Sequence, residues 1–225
     1  MTRKHVTTEP AILYFGTPVV LISTTNEDGT TNIAPMSSAF WLGWRCMLGL
    51  ETSSKTTENM IRTGECVLNL ASPTEVDAVN RLARLTGSNP VPPSKDARGY
   101  RYEKNKFEIA GLTPMESETV RPPRAQECAV QMEAVVAAKH GIMEDLDDWR
   151  GAIVVFEVRI TRVHIDHTLL LDGHPNRIDS DKWQALIMCF SKLYGVAPDQ
   201  VIHSKLGEID EALYRSPDID RAKAA

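Results

Sequence analysis

Val19-Val20-Leu21-Ile22-Ser23-Thr24-Thr25-Asn26-Glu27-Asp28-Gly29-Thr30-Thr31-Asn32-Ile33-Ala34-Pro35-Met36-Ser37-Ser38 reads as two strands joined by a tight turn. Val19 to Thr25 is rich in β-branched residues, which suit a pleated surface, and Asn26 to Gly29 carries turn chemistry because Asp-Gly tolerates positive φ. The hairpin returns as Thr31 to Ser38. Pro35 inside that second strand cannot donate to a ladder, so the strand is expected at a sheet edge or a bulge. Outward from the hairpin, Cys46 to Leu50, Glu65 to Leu70, Cys128 to Ala137 and Ala152 to Asp166 continue the strand pattern. In the last of these the apolar phase is even at Val154, Phe156, Val158 and Ile160, then odd at Val163 and Ile165. A change of phase needs one extra residue, which predicts a bulge near Thr161.

Helices sit between and after the strands. Ser53 to Gly64 opens on hydroxyl residues and closes on glycine, the signature of an N-cap and a C′ stop. Thr74 to Leu85 has Thr74 and Asp77 spaced as a capping box, with Val76, Val79, Leu82 and Ala83 on one face and Gly87 as its end. Ser180 to Tyr194 places Trp183, Leu186, Ile187, Phe190 and Tyr194 at helical spacing between Ser180 and Gly195. No βαβ alternation occurs, so the reading is a mainly β domain of about six strands or more with peripheral helices. Residues 1–195 form that domain, with a Pro-rich and basic excursion at 88–123; residues 196–225 are read as a C-terminal helical extension.

Composition bounds the function classes. The 225 residues are 42% hydrophobic and 24% charged, a globular balance, and 25 Lys and Arg against 30 Asp and Glu give a net charge of −5. That charge offers no general field for a nucleic-acid backbone, so nucleic acid is not an expected partner and any anion site is local. No stretch reaches the ~20 apolar residues of a membrane-crossing helix, nor does Met1 to Pro10 lead into an apolar run of secretory length. Cys46, Cys66, Cys128 and Cys189 are scattered without a CxxC pair, as expected of thiols in a reducing cytoplasm.

The strand pair Asn32 to Ser38 and Leu48 to Thr57 concentrates the chemistry. Ser53, Ser54, Thr56 and Thr57 place hydroxyls, and Lys55 a positive charge, on the first turn of a helix whose free N–H groups favour an anion. A plain helix cap with solvated neighbours satisfies the same spacing. Lys95, Arg98, Arg101, Lys104 and Lys106, interleaved with Tyr100, Tyr102 and Phe107, suit either a solvated loop or a grip on the phosphates of a dinucleotide or RNA, a pyridine nucleotide before RNA. His164, Asp166 and His167 have metal-ligand chemistry, but in a strand the first two face one way and the third the other. Glu144-Asp145-x-Asp147-Asp148 lacks the glycine and terminal glutamate of a calcium loop and reads as a solvated turn. Trp41 and Trp44 are read as packing at a barrel mouth or an interface.

Three segments in order carry a resemblance: Gly16-Thr17-Pro18-Val19-Val20-Leu21-Ile22-Ser23-Thr24; Asp28-Gly29-x-x-Asn32-Ile33-Ala34-Pro35-Met36-Ser37-Ser38; and Ser53-Ser54-Lys55-Thr56-x-x-Asn59. They are followed by Lys106-Phe107-x-x-Ala110-Gly111-Leu112-Thr113, by Glu116-x-x-x-Val120-Arg121-Pro122-Pro123 and by Asp172-Gly173. As a set they resemble the flavin reductase-like family of FMN-binding split β-barrels. The resemblance implies a six-stranded antiparallel split barrel that binds FMN near a homodimer interface. By it, Ser53, Ser54, Lys55 and Thr56 hold the FMN phosphate, while Glu51 and Thr52 line the ribityl chain and ring edge. Asn32, Ala34, Pro35, Met36, Ser37 and Ser38 flank the isoalloxazine.

The implied reaction is hydride transfer from NADH or NADPH to the flavin, with electrons passed on to free flavin, oxygen or a partner such as a monooxygenase. The flavin carries that chemistry, so no catalytic side chain and no metal are nominated. The Gly-Asp-His element of many short-chain NADH:flavin oxidoreductases has its nearest counterpart here in Asp172-Gly173-His174. The alternative is an FMN-binding electron carrier without nicotinamide activity of its own.

Overall fold

A computed structural model describes residues 3–196 and 204–224, with the backbone alone for residues 207 and 208. The strands that matter are β1 (Phe15–Pro18), β2 (Val20–Thr25), β3 (Thr31–Met36), β4 (Ala39–Leu42), β5 (Arg45–Glu51), β6 (Glu65–Leu70), β7 (Val130–Ile142), β8 (Ile153–Ile165), β9 (Leu186–Cys189) and β10 (Lys192–Gly195). The helices are α1 (Lys55–Thr63), α2 (Val76–Leu82), α3 (Lys106–Ala110) and α4 (Pro217–Ala224), with a further short turn of helix at Pro93–Asp96.

One antiparallel sheet runs in the order β3-β2-β6-β7-β8-β5-β4. It has seven strands where six were expected, because Ala39–Leu42, unread in the sequence, pairs with β5. Val20 and Ile22 of β2 share a buried cluster with Cys46 and Leu48 of β5, although three strands separate them in hydrogen-bonded order. The sheet therefore curls on itself around that core. It does not close: β3 and β4 are both edges, and Gly49 N–H donating to Ser38 O at 2.9 Å extends the β4–β5 ladder toward the end of β3.

The other side of β2 explains why its apolar run is continuous. Leu21 packs outward with Ile33, Ala78, Val79, Leu82, Phe107, Ala110 and Leu112, so α2 and α3 form a second core against the outer face of the sheet. A strand buried on both faces loses the alternation of a half-exposed one. Pro35 lies in an edge strand as its missing donor requires, and the register between β7 and β8 skips Thr161, the site expected for the bulge.

Two helix readings need correction. Ser180 to Tyr194 is not a helix: β9 and β10 form a hairpin there, and β9 pairs with β1. Leu186 is buried in the second core while Phe190 and Tyr194 are exposed, so the helical stripe never acts as one face. The helix from Thr74 is α2 and ends at Leu82, because Leu85–Thr86 pairs with Arg101–Tyr102. The capping box is Ser72 with Glu75, two residues before Thr74 and Asp77, and it closes the single turn Pro73–Glu75 that leads into α2.

The 88–123 excursion lays α3 against α2 and β3 and returns along the buried carboxylate Glu133, which accepts from Glu118 N at 2.8 Å and meets His164 Nε2 at 2.7 Å. His164 thus faces Glu133, while His167 is exposed beside Asp166. Trp41 and Trp44 are half-buried against the inner core. In the C-terminal extension, α4 docks by Asp218 on Arg45 at 2.7 Å and by the buried Ala222. Residues 197–203 and 225 of that extension lie outside the described residues.

Candidate functional site

The site grows from one buried amide. Asn32, at the start of β3, donates from Nδ2 to Thr24 Oγ1 and Thr56 Oγ1, each at 3.2 Å, and accepts at Oδ1 from Lys106 Nζ at 3.1 Å. Asn59 reaches the same threonine from α1, donating to Thr24 Oγ1 at 3.0 Å and to Asn26 Oδ1 at 2.8 Å. The edge strand, the head of α1 and the excursion therefore meet at a fixed point. A cavity of about 440 Å³ opens there, lined by Asn26, Asp28, Asn32, Lys55, Gly87 and Tyr102 among others.

Along the first turn of α1 the hydroxyls divide. Ser54 is the N-cap, accepting from Thr57 N–H at 3.1 Å, and Thr57 Oγ1 donates to Glu51 O at 2.8 Å. For Ser54 the plain capping reading is realised. Thr56 turns to Asn32, and Lys55 lies along the cavity with its ammonium 2.7 Å from Glu58.

Gly87 is the closest neighbour of this group. A Cβ on it would stand 2.8 Å from Asn32 Oδ1 and 3.0 Å from Lys55 Cγ, so the chain passes there only because the side chain is absent.

Glu51 and Thr52 each have partners within the chain. Glu51 takes a two-pronged grip from Arg98 of the excursion, at 2.8 and 2.7 Å, and those hydrogen bonds hold its carboxyl below the usual range. Thr52 bonds the β7–β8 loop through Ala152 O. Ala34, Pro35, Met36 and Ser37 lie half-buried along the open edge of β3 and into the turn after it. Ser38 is set apart from Asn32, bonded to Tyr14 at 2.7 Å.

The excursion adds side chains that the basic run concealed. Lys106 is 2% exposed and Lys95 9% exposed, whereas Lys104 stands exposed against Asp28 at 3.3 Å. Burial, and then the charge of Lys95, push the Lys106 ammonium down to about 7; burial also lowers Lys95. Lys55, Lys95, Arg98 and Lys106 thus form a cationic group, against which stand Glu51 and Glu58, each already engaged, while Glu27, Asp28 and Glu103 lie on the outer rim of the cavity. An anionic ligand fits that group, because it brings the charge that the surrounding protein lacks. Sequence reasoning passed over Gly87 as a helix stop and left the lysines in a loop. Lys106 carries two signals: it opens the Lys106 to Thr113 segment of the resemblance, and it adjoins Phe107, whose ring belongs to the second core.

The chain has relatives among known proteins. Residues 12–178 match the flavin reductase like domain. An uncharacterised protein of Bacillus subtilis strain 168, YdfE, is 39% identical over 195 residues, covering 87% of this chain and 91% of its own. Among solved structures, flavoredoxin of Desulfovibrio vulgaris (Miyazaki F) superposes with a TM-score of 0.70 at 20% identity, over 90% of this chain and 97% of its own. A flavin-reductase-type protein with a split barrel domain from Shewanella frigidimarina gives 0.66 at 17% identity, over 84% and 85%. Those two structures bear on the fold; the match along 12–178 and the Bacillus relative bear on descent, and by them the chain belongs to the flavin reductase-like family.

Proposed function

We propose that the chain binds FMN and works as an NAD(P)H-dependent flavin oxidoreductase that passes electrons to free flavin or to a partner such as a monooxygenase. The observation that carries the reading is the convergence of Asn32, Lys55 and Gly87 on one cavity, with the buried Lys106 bonded to Asn32, in a chain of this family. Ser53, Ser54, Lys55 and Thr56 would hold the phosphate, with Glu51 and Thr52 nearby. Asn32, Ala34, Pro35, Met36, Ser37 and Ser38 would flank the ring, where the open edge of β3 leaves backbone groups for it. Bound FMN supplies the acceptor for a hydride from a reduced nicotinamide. The chain supplies position, a counter-charge and exclusion of water.

A homodimer in the cytoplasm is part of the proposal. Phe15, Phe190 and Tyr194 are exposed on β1, β10 and the turn before it, an apolar face that a second copy would cover.

One observation favours the carrier reading. Asp172-Gly173-His174 sits in an exposed hairpin, with Gly173 at φ 76° in the turn, and does not reproduce Gly-Asp-His. The absorption spectrum of the purified protein, followed by anaerobic titration with NADH and NADPH, separates the readings. Flavin bands that bleach with either nucleotide support the oxidoreductase; bands that persist support the carrier. A protein that binds no added FMN overturns both.

A further inference from the structure

Lys106 is the most deeply buried cation among the described residues, and its counter-charge is missing. Its ammonium has one hydrogen-bond partner, the neutral Asn32 Oδ1 at 3.1 Å. The charges on the elements packed around it are cationic, already engaged or exposed to solvent. On the turn of helix at Pro93–Asp96 Lys95 repels it, and just beyond that turn Arg98 grips Glu51. On α1, Lys55 pairs with Glu58. In the β2–β3 turn, Asp28 is held by Thr30 and Lys104, and Glu27 is exposed at the rim of the cavity, where water screens it. Glu103 accepts from Asn105 N at 2.8 Å, and Arg81 of α2 is bonded to Ala110 O at 3.2 Å. A buried ammonium with no paired carboxylate is costly, and the group loses its proton rather than bear that cost.

We propose that the phosphate of the bound flavin is the counter-ion of Lys106, and that Lys106 takes up a proton as the ligand enters. The proposal rests on the FMN-binding reading above and adds a regulation of that site: occupancy is coupled to pH. Asn32 is the relay of position, since it joins Lys106 on one side to Thr56 at the head of α1 on the other. Lys106 does not itself line the cavity; Asn32, which does, stands between its ammonium and an anion set against that helix start and Lys55. The same arrangement gives a reason for Gly87, which leaves the amide and Lys55 room to face one ligand.

The coupling is read by isothermal titration of the full-length, flavin-stripped protein at pH 8.0 in two buffers of different ionisation enthalpy. At that pH a phosphate monoester is fully charged, its second pKa being about 6, so it contributes no proton of its own. Wild type is expected to take up close to one proton per FMN, and to lose up to tenfold in affinity per pH unit above 8. Riboflavin, which lacks the phosphate, is expected to bind without uptake. Lys106→Met is expected to bind FMN at least tenfold more weakly with no uptake. Lys106→Arg, permanently charged, binds with no uptake and a flat pH profile, and serves if the methionine variant does not fold. FMN binding by wild type without proton uptake overturns the proposal and leaves the FMN reading standing; so does uptake that persists in either variant. Equal uptake with riboflavin overturns the assignment to the phosphate. A wild type that binds neither flavin overturns the FMN reading together with this one.

Discussion

At the scale of single residues, the site depends on an atom that is not there. Gly87 approaches Asn32 Oδ1 so closely that one methyl group cannot be added without displacing it, and Asn32 is pinned by three hydrogen bonds. Lys55 on the other side can swing away, so the strain falls on the amide. Gly87→Ala is therefore expected to cost about 1–3 kcal/mol of stability, as overpacking does, and to weaken FMN binding about tenfold. Denaturant unfolding and flavin titration of the variant check both; unchanged affinity would mean that the Asn32 amide is not a ligand-positioning group. Asn32 itself was legible in the sequence as a strand residue before Pro35. Its bonds to Thr56 and Lys106 were not, because they join positions 24 and 74 residues apart.

At the scale of elements, legibility followed the range of the interactions that decide each one. The β2–β3 hairpin, α1 with its Ser54 cap and Gly64 stop, and the bulge at Thr161 are set by neighbours in sequence, and the sequence shows them. The hairpin of β9 and β10 is set by β1, some 170 residues earlier, and its apolar spacing satisfies a helix as well. The excursion was legible as a departure from strand pattern but not as the wall of a site. Its attachment gives a prediction: Arg98 and Glu51 are both about half-exposed, so their pair contributes well under ~1 kcal/mol to stability. If instead it holds the excursion over the cavity, Arg98→Met and Glu51→Gln should each speed FMN release several-fold with little change in melting temperature. The double variant should be no worse than either single one, which stopped-flow dissociation would show. Additive effects would mean that the two residues act apart.

For the whole molecule, the buried titratable groups set a pH profile whose sign can be worked out. Stability rises with pH wherever the unfolded chain binds more protons than the folded one. Lys106 is lowered to about 7 when folded and titrates in the ordinary lysine range when unfolded, so in that interval it is protonated only in the unfolded chain. Lys95, also lowered, acts in the same direction. The ligand-free protein should thus gain stability as pH rises above 7, by at most about 1.4 kcal/mol per pH unit for each such group. The buried thiols oppose this at higher pH. Burial pushes Cys46 up to about 12 and raises Cys66 and Cys128 as well, so above the ordinary thiol range they ionise only when unfolded and stability falls. Together the two sets place the maximum near pH ~9. Thermal or urea unfolding of the ligand-free chain from pH 7 to 10 should trace a rise and then a fall. Lys106→Met should flatten the rising limb and keep the falling one. Saturating FMN should flatten it too, because the bound phosphate keeps Lys106 charged in the folded state. A rising limb that survives in Lys106→Met would assign the uncompensated buried charge to another group, with Lys95 the first to test.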